Sequence, residues 1–102
     1  MKRYTDILVD FVVALKYKDL PSCVIEQTKL FIADYYAASI AGYRVNKQFN
    51  KVVMSIIKED SGTEQASILF EKKKYPVTNA AFMNAVYAHG ADMDDGNRKS
   101  AG

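Results

Sequence analysis

The residues best equipped for chemistry gather near the C-terminal end of the sequence. His89, Asp92, Asp94, Asp95, Asn97 and Arg98 all fall in the stretch NAAFMNAVYAHGADMDDGNRKSAG, which begins at Asn79. Three carboxylates within four positions repel one another. They need cations, hydrogen bonds or helix dipoles to stay ionised, or else the pKa of one of them rises. A carboxylate with a raised pKa can exchange a proton with a substrate carbon near neutral pH. Arg98 and Lys99 supply charge to neutralise the cluster or to hold a substrate carboxylate. His89 and Asp92 are three positions apart, so a helix continuing to Ala91 would project both from one face.

Two other uses fit the same spacing. Aspartates beside a histidine suit a hard divalent ion. The EF-hand register fails, however, because Asp92 and Asp94 are misplaced relative to Gly96 and no glutamate follows. The plainer alternative is a solvated acidic turn in which Asp94 or Asp95 caps a following helix. Spacing alone leaves proton transfer, metal binding and the solvated turn open. For His89 by itself, a hydrogen-bonded core histidine is the default.

The rest of the sequence reads as helices that support this loop. Ile7, Leu8, Phe11, Val12 and Leu15 recur at helical spacing between Tyr4 and Leu15, with Asp6 and Asp10 on the other face. Leu20-Pro21-Ser22 opens a second helix, expected to end near Ala41 with Gly42 as its stop. Val24, Ile25, Phe31, Ile32, Tyr35, Tyr36 and Ile40 cover more than one of its faces, which predicts burial on several sides. Asp34 inside this stretch is expected as a buried, hydrogen-bonded carboxylate. A third helix follows Asn46, its expected cap, with Phe49, Val52, Val53, Ile56 and Ile57 at intervals of three and four. Asp60-Ser61-Gly62 ends it. Ala66 to Phe70 reads as a strand. Glu71 to Lys74 is a turn, and Tyr75-Pro76-Val77 is a second short edge strand. Thr78 or Asn79 then caps a fourth helix, thin along Ala80, Ala81, Ala85, Ala88 and Gly90. The expected fold is mainly α: a bundle-like segment of four helices with one short β-hairpin.

Bulk properties narrow the function classes. The 102 residues are 49% hydrophobic and 25% charged, as in an ordinary globular domain. Fourteen basic residues against 12 acidic ones leave a net charge of +2, too balanced to indicate nucleic acid. Lys72-Lys73-Lys74 reads as a solvated hairpin tip. The single cysteine, Cys23, excludes a disulfide framework and reads as a small packed residue. The N-terminus shows no signal-peptide pattern, and no apolar run is long enough to span a membrane. A cytoplasmic setting fits.

The order of these features resembles the N-terminal part of the MmgE/PrpD family, which includes 2-methylcitrate dehydratase, cis-aconitate decarboxylase and iminodisuccinate epimerase. LVDFVVALKYKDLPSCVIEQTKLFIADYYAASIAG is similar to the family's first two helices, with a Leu-Pro step, an internal aspartate at Asp34 and a closing Ala41-Gly42. ASILFEKKKYPVTNAAFMNAVYAHGADMDDGNR is similar to its hairpin, central helix and aspartate-rich active-site loop. Gly96 departs from the family pattern, which commonly has threonine there. Ala101-Gly102 stands where a His-Pro-Gly-like step would begin.

The resemblance implies that residues 1–102 are the N-terminal, incomplete part of an all-helical domain. The parent would be a lyase or isomerase without metal or organic cofactor, acting on a small di- or tricarboxylate and forming a homodimer. The 102-residue chain alone is expected to be inactive. Asp92 would handle the proton or orient the substrate, with His89 in support. Asp95, Asn97 and Arg98 are assigned to substrate binding on the chemistry of the loop. Two alternatives stand beside this reading: a non-catalytic helical interaction module, and a divalent-metal-binding acidic loop.

Overall fold

A computed structural model describes residues 3–93 of the chain. Among the described residues there are four α-helices and a two-stranded antiparallel hairpin, in the order α1 (Tyr4–Ala14), α2 (Ser22–Val45), α3 (Lys47–Glu59), β1 (Ala66–Ser67), β2 (Lys74–Tyr75) and α4 (Val77–His89). The mainly helical class expected from the periodicity is what the chain adopts. The chain divides into two compact units, Met1–Phe31 and Ile32–Gly102, and α2 runs from one into the other.

The first unit is organised by local hydrogen bonds. The Asp6 carboxylate accepts from the Arg3 backbone N–H at 3.2 Å and from its guanidinium, fixing the first turn of α1. A single 3₁₀ turn, Tyr17–Asp19, is tied by Lys16 N–H donating to the Asp19 carboxylate at 3.2 Å. Pro21 immediately precedes α2, and its carbonyl accepts from the N–H groups of Val24 and Ile25. The apolar stripe of α1 is accessible, with Leu8 64%, Phe11 61% and Val12 67% exposed. Cys23 is exposed as well, so it is not the packed residue the sequence suggested.

Helix α2 departs from expectation in two ways. It continues through Gly42 to Val45 instead of stopping at the glycine. Its buried residues are the small Ala38, Ser39 and Gly42, whereas Phe31, Ile32, Tyr35 and Tyr36 are exposed. Asp34 is exposed too, so it is not a buried carboxylate. Burial on several sides is therefore not what α2 shows: its small-residue strip is buried, Tyr43 packs on Phe70 and Tyr87, and its other large apolar side chains are mostly exposed.

The core of the second unit lies where α3, the hairpin and α4 meet. Met54 and Ile57 of α3, Ile68 and Tyr75 of the hairpin, and Ala80, Met83 and Tyr87 of α4 form one buried cluster. The α4 residues are spaced by three and four, so they form a single helical face. The strands are shorter than the sequence suggested. Ala66 pairs with Tyr75 and Ser67 with Lys74, and there the ladder ends.

Instead of extending β1, Ile68 to Glu71 form a turn, with Glu71 N–H donating to the Ile68 carbonyl at 3.1 Å. Phe70 takes φ 69° within it. That left-handed conformation costs a non-glycine residue about 1–2 kcal/mol. The cost is offset by ring packing on Tyr43 (centroids 4.3 Å apart) and Tyr87 (5.6 Å). Asn84 of α4 holds the other side of β1: it accepts from Leu69 N–H at 2.8 Å and donates to the Ser67 carbonyl at 3.0 Å. Helix α4 starts at Val77 after Pro76. Asn79, expected as its cap, donates instead to the Asp60 carboxylate at 2.7 Å.

Two predictions follow from this core. Met83 is 0% exposed, so Met83→Ala should cost about 2–5 kcal/mol in denaturant unfolding; a loss under about 1 kcal/mol would mean the site collapses around the gap. Burial pushes the Tyr87 hydroxyl up to about 12. Below pH 10 the phenol is neutral in both folded and unfolded chains. Above it the unfolded chain ionises first, so stability falls between about pH 10 and 12. Tyr87→Phe should remove that share of the alkaline decline, and parallel stability–pH curves for the two proteins would contradict it.

Candidate functional site

His89 and Asp92 lie at the C-terminal end of α4, where the local backbone forms a turn. The helix ends at His89, not Ala91. Gly90 N–H donates to the Tyr87 carbonyl at 3.3 Å, and Asp92 N–H donates to the His89 carbonyl at 2.8 Å, closing a further turn. Asp92 sits at φ 52°. Aspartate tolerates this left-handed conformation better than most residues. The turn therefore relates His89 to Asp92, and they do not share one face of a continuing helix. Both residues are exposed. His89 lies in the last turn of α4.

What fixes this turn comes from the C-terminal end of α2. A Cβ placed on Gly42 would collide with the Tyr87 carbonyl oxygen and lie 3.1 Å from Gly90 Cα. On Gly90 a Cβ would meet Gly42 Cα at 3.1 Å and Asn46 Nδ2 at 3.3 Å. The two backbones are thus in direct contact through a pair of glycines, which explains why α2 passes through Gly42. The residue acts as a contact point and not as a helix stop.

Asn46 precedes α3 as expected, but its side chain makes no cap bond there. It donates to the Gly90 carbonyl instead. That bond satisfies a carbonyl at the helix end that has no partner within the helix. Asn50, one turn further on and 5% exposed, donates to the carbonyls of Gly42 (3.1 Å) and Tyr43 (3.3 Å). Two asparagines and two glycines therefore join the ends of α2 and α4. No sequence signal links Asn46 to Gly90 across 44 positions. The only hint was a glycine placed in an otherwise helical pattern, which can mark close packing as readily as a helix end.

Of the residues proposed from sequence, the structure brings His89 and Asp92 to one turn. Asp94, Asp95, Asn97 and Arg98 lie outside the described residues. Among the described residues, no group of three or more His, Cys, Asp or Glu side chains is placed to hold a metal ion. No described helix is long and apolar enough to cross a membrane.

These features define a mainly helical chain that presents a polar turn from the end of α4. Residues 6–101 match the model of the MmgE/PrpD N-terminal domain. The chain belongs to the MmgE/PrpD family, the group its sequence resembles. Comparison with curated proteins and with solved structures gave no match.

The glycine contact is directly testable. Gly42→Ala forces the end of α4 away from α2 and should cost about 1–3 kcal/mol. It should also shift the backbone amide resonances of Gly90 and Asp92, whereas Ala41→Gly should leave them in place. Unchanged Gly90 and Asp92 resonances in a folded Gly42→Ala protein would show that the contact does not position the turn.

Proposed function

We propose that this chain supplies the N-terminal helical domain of a lyase or isomerase that acts on a small di- or tricarboxylate, with no metal or organic cofactor. The carrying observation is the placement of Asp92: an exposed carboxylate held at φ 52° on a turn whose backbone is locked to α2. A fixed carboxylate can take or return a proton at the carbon beside a substrate carboxylate. Proton removal leaves a carbanionic centre that either expels a β-hydroxyl, protonated by an acid group as it departs as water, or is reprotonated on the opposite face, according to how the substrate is held. In decarboxylation the centre forms instead as carbon dioxide leaves, and the protonated carboxyl group delivers its proton to it. In this reading His89 supports Asp92, and Asp95, Asn97 and Arg98 contact the substrate. Arg98 suits a planar, two-point bond to a carboxylate. Membership of the MmgE/PrpD family supports the chemistry. A doubly or triply anionic substrate needs more cationic groups than Arg98 and Lys99. The reading therefore includes further site residues from outside these 102 and a cytoplasmic, homodimeric enzyme.

A second reading rests on a different observation. Ile7, Leu8, Phe11 and Val12 on α1, and Tyr35 and Tyr36 on α2, are each between 40% and 67% exposed. Such surfaces suit association with further helices or with a second copy. If the 102-residue chain is monodisperse and monomeric over a wide concentration range, that reading is set aside.

The enzymatic reading is tested by Asp92→Asn in the complete enzyme that it requires. Turnover of small di- and tricarboxylates should drop about 10²- to 10⁴-fold, as for loss of a general acid–base group. Exchange of the substrate's carbon-bound proton with deuterated solvent should drop in parallel. The 102-residue chain alone should show neither activity. A folded Asp92→Asn enzyme with unchanged turnover would remove Asp92 from the mechanism.

A further inference from the structure

A second concave site lies away from the Asp92 turn, against α3. It has a volume of about 400 Å³. Lys47, Asn50, Lys51, Met54 and Lys58 line it from α3, at intervals that place them on one helical face. Tyr43 and Tyr87 supply aromatic surface, and Glu71 stands at the edge.

The charge here is unbalanced. Glu71 is already engaged, 3.9 Å from the Lys58 ammonium and accepting from the Tyr75 hydroxyl at 3.2 Å. Lys47 and Lys51, one helical turn apart, have no carboxylate partner among the described residues. Three lysines against one glutamate leave an excess of two positive charges around the cavity.

Asn50, 5% exposed, also lines the site, and its Nδ2 serves the carbonyls of Gly42 and Tyr43. Met54 and the two tyrosine rings add an apolar wall, which a bare inorganic anion would leave unused.

We propose that this cavity binds an organic anion with an apolar body: a carboxylate held between Lys47 and Lys51, and an aryl or alkyl group against Met54, Tyr43 and Tyr87. The proposal uses none of the residues assigned to proton transfer and stands independently of that function. Since α3 carries both this site and Asn50, which bonds the end of α2, an occupant would also bear on the helix junction behind the Asp92 turn.

The probe is 3-phenyllactate, titrated into the chain and followed by two-dimensional NMR. Its amide serves as the neutral comparator. Shifts should concentrate on residues 47–58, the Met54 methyl group and the Tyr87 ring. The carboxylate should bind about tenfold more tightly than the neutral amide, the scale of two partly exposed ion pairs. Lys47→Ala combined with Lys51→Ala should abolish the preference for charge, whereas Lys16→Ala combined with Lys18→Ala should not change it. Both pairs are exposed and the spectra report folding directly. Equal affinity for carboxylate and amide, or shifts centred on the exposed face of α1, would overturn the proposal.

Discussion

The described structure turns on a backbone contact between two helix ends. Gly42 in α2 meets the Tyr87 carbonyl and Gly90 at the end of α4, at a separation that leaves no room for a Cβ. This approach brings Asn46 within reach of the Gly90 carbonyl, while Asn50 of α3 separately bonds the Gly42 and Tyr43 carbonyls at the end of α2. Helix ends carry carbonyls with no partner inside the helix. Here side chains from the start of α3 serve the closing turns of both neighbours.

The two helices are thereby joined by polar bonds and close backbone packing, while the apolar core lies elsewhere. The cluster around Met54, Ile68, Met83 and Tyr87 anchors α3, the hairpin and α4. Burial and hydrogen bonding thus divide the work. The core holds α4 against the hairpin along most of its length, and the asparagine–glycine junction sets where its last turn points. Tyr87 belongs to both regions: its ring fills the core and packs on Tyr43, and its carbonyl faces Gly42.

That division matters for a site built on a turn. A catalytic carboxylate must be held to within a fraction of an ångström, and loops achieve this only when rigid elements constrain them. At Asp92 the constraint acts on the backbone, through its N–H bond to the His89 carbonyl and its place two residues after Gly90, which packs on Gly42. The left-handed conformation at Asp92 then turns the chain out of the helical path.

Much of the architecture was legible in residue order. The periodicity of α1, α3 and α4, the proline before α2 and the turn residues after α3 are local signals, and local hydrogen bonding obeys them. The family was legible for the same reason, since its motifs are contiguous. What the sequence could not convey was how residues far apart would be used. Gly42 has the same composition signal whether it ends a helix or admits a neighbour, and only the arrival of α4 decides. Asn46 and Asn79 are good caps by type, but each finds a partner from another element. The strand predicted through Phe70 is replaced by a turn in which its ring contacts Tyr43 and Tyr87, a long-range pairing that the local pattern does not carry. Apolar periodicity on α1 and α2 likewise states that a face can be buried, not that this chain buries it. Sequence by itself determined the helices, the hairpin, the family and the reactive residue types. Tertiary structure alone decided which small and polar residues became contacts, because close approach and hydrogen-bond partnership are properties of pairs brought together in space.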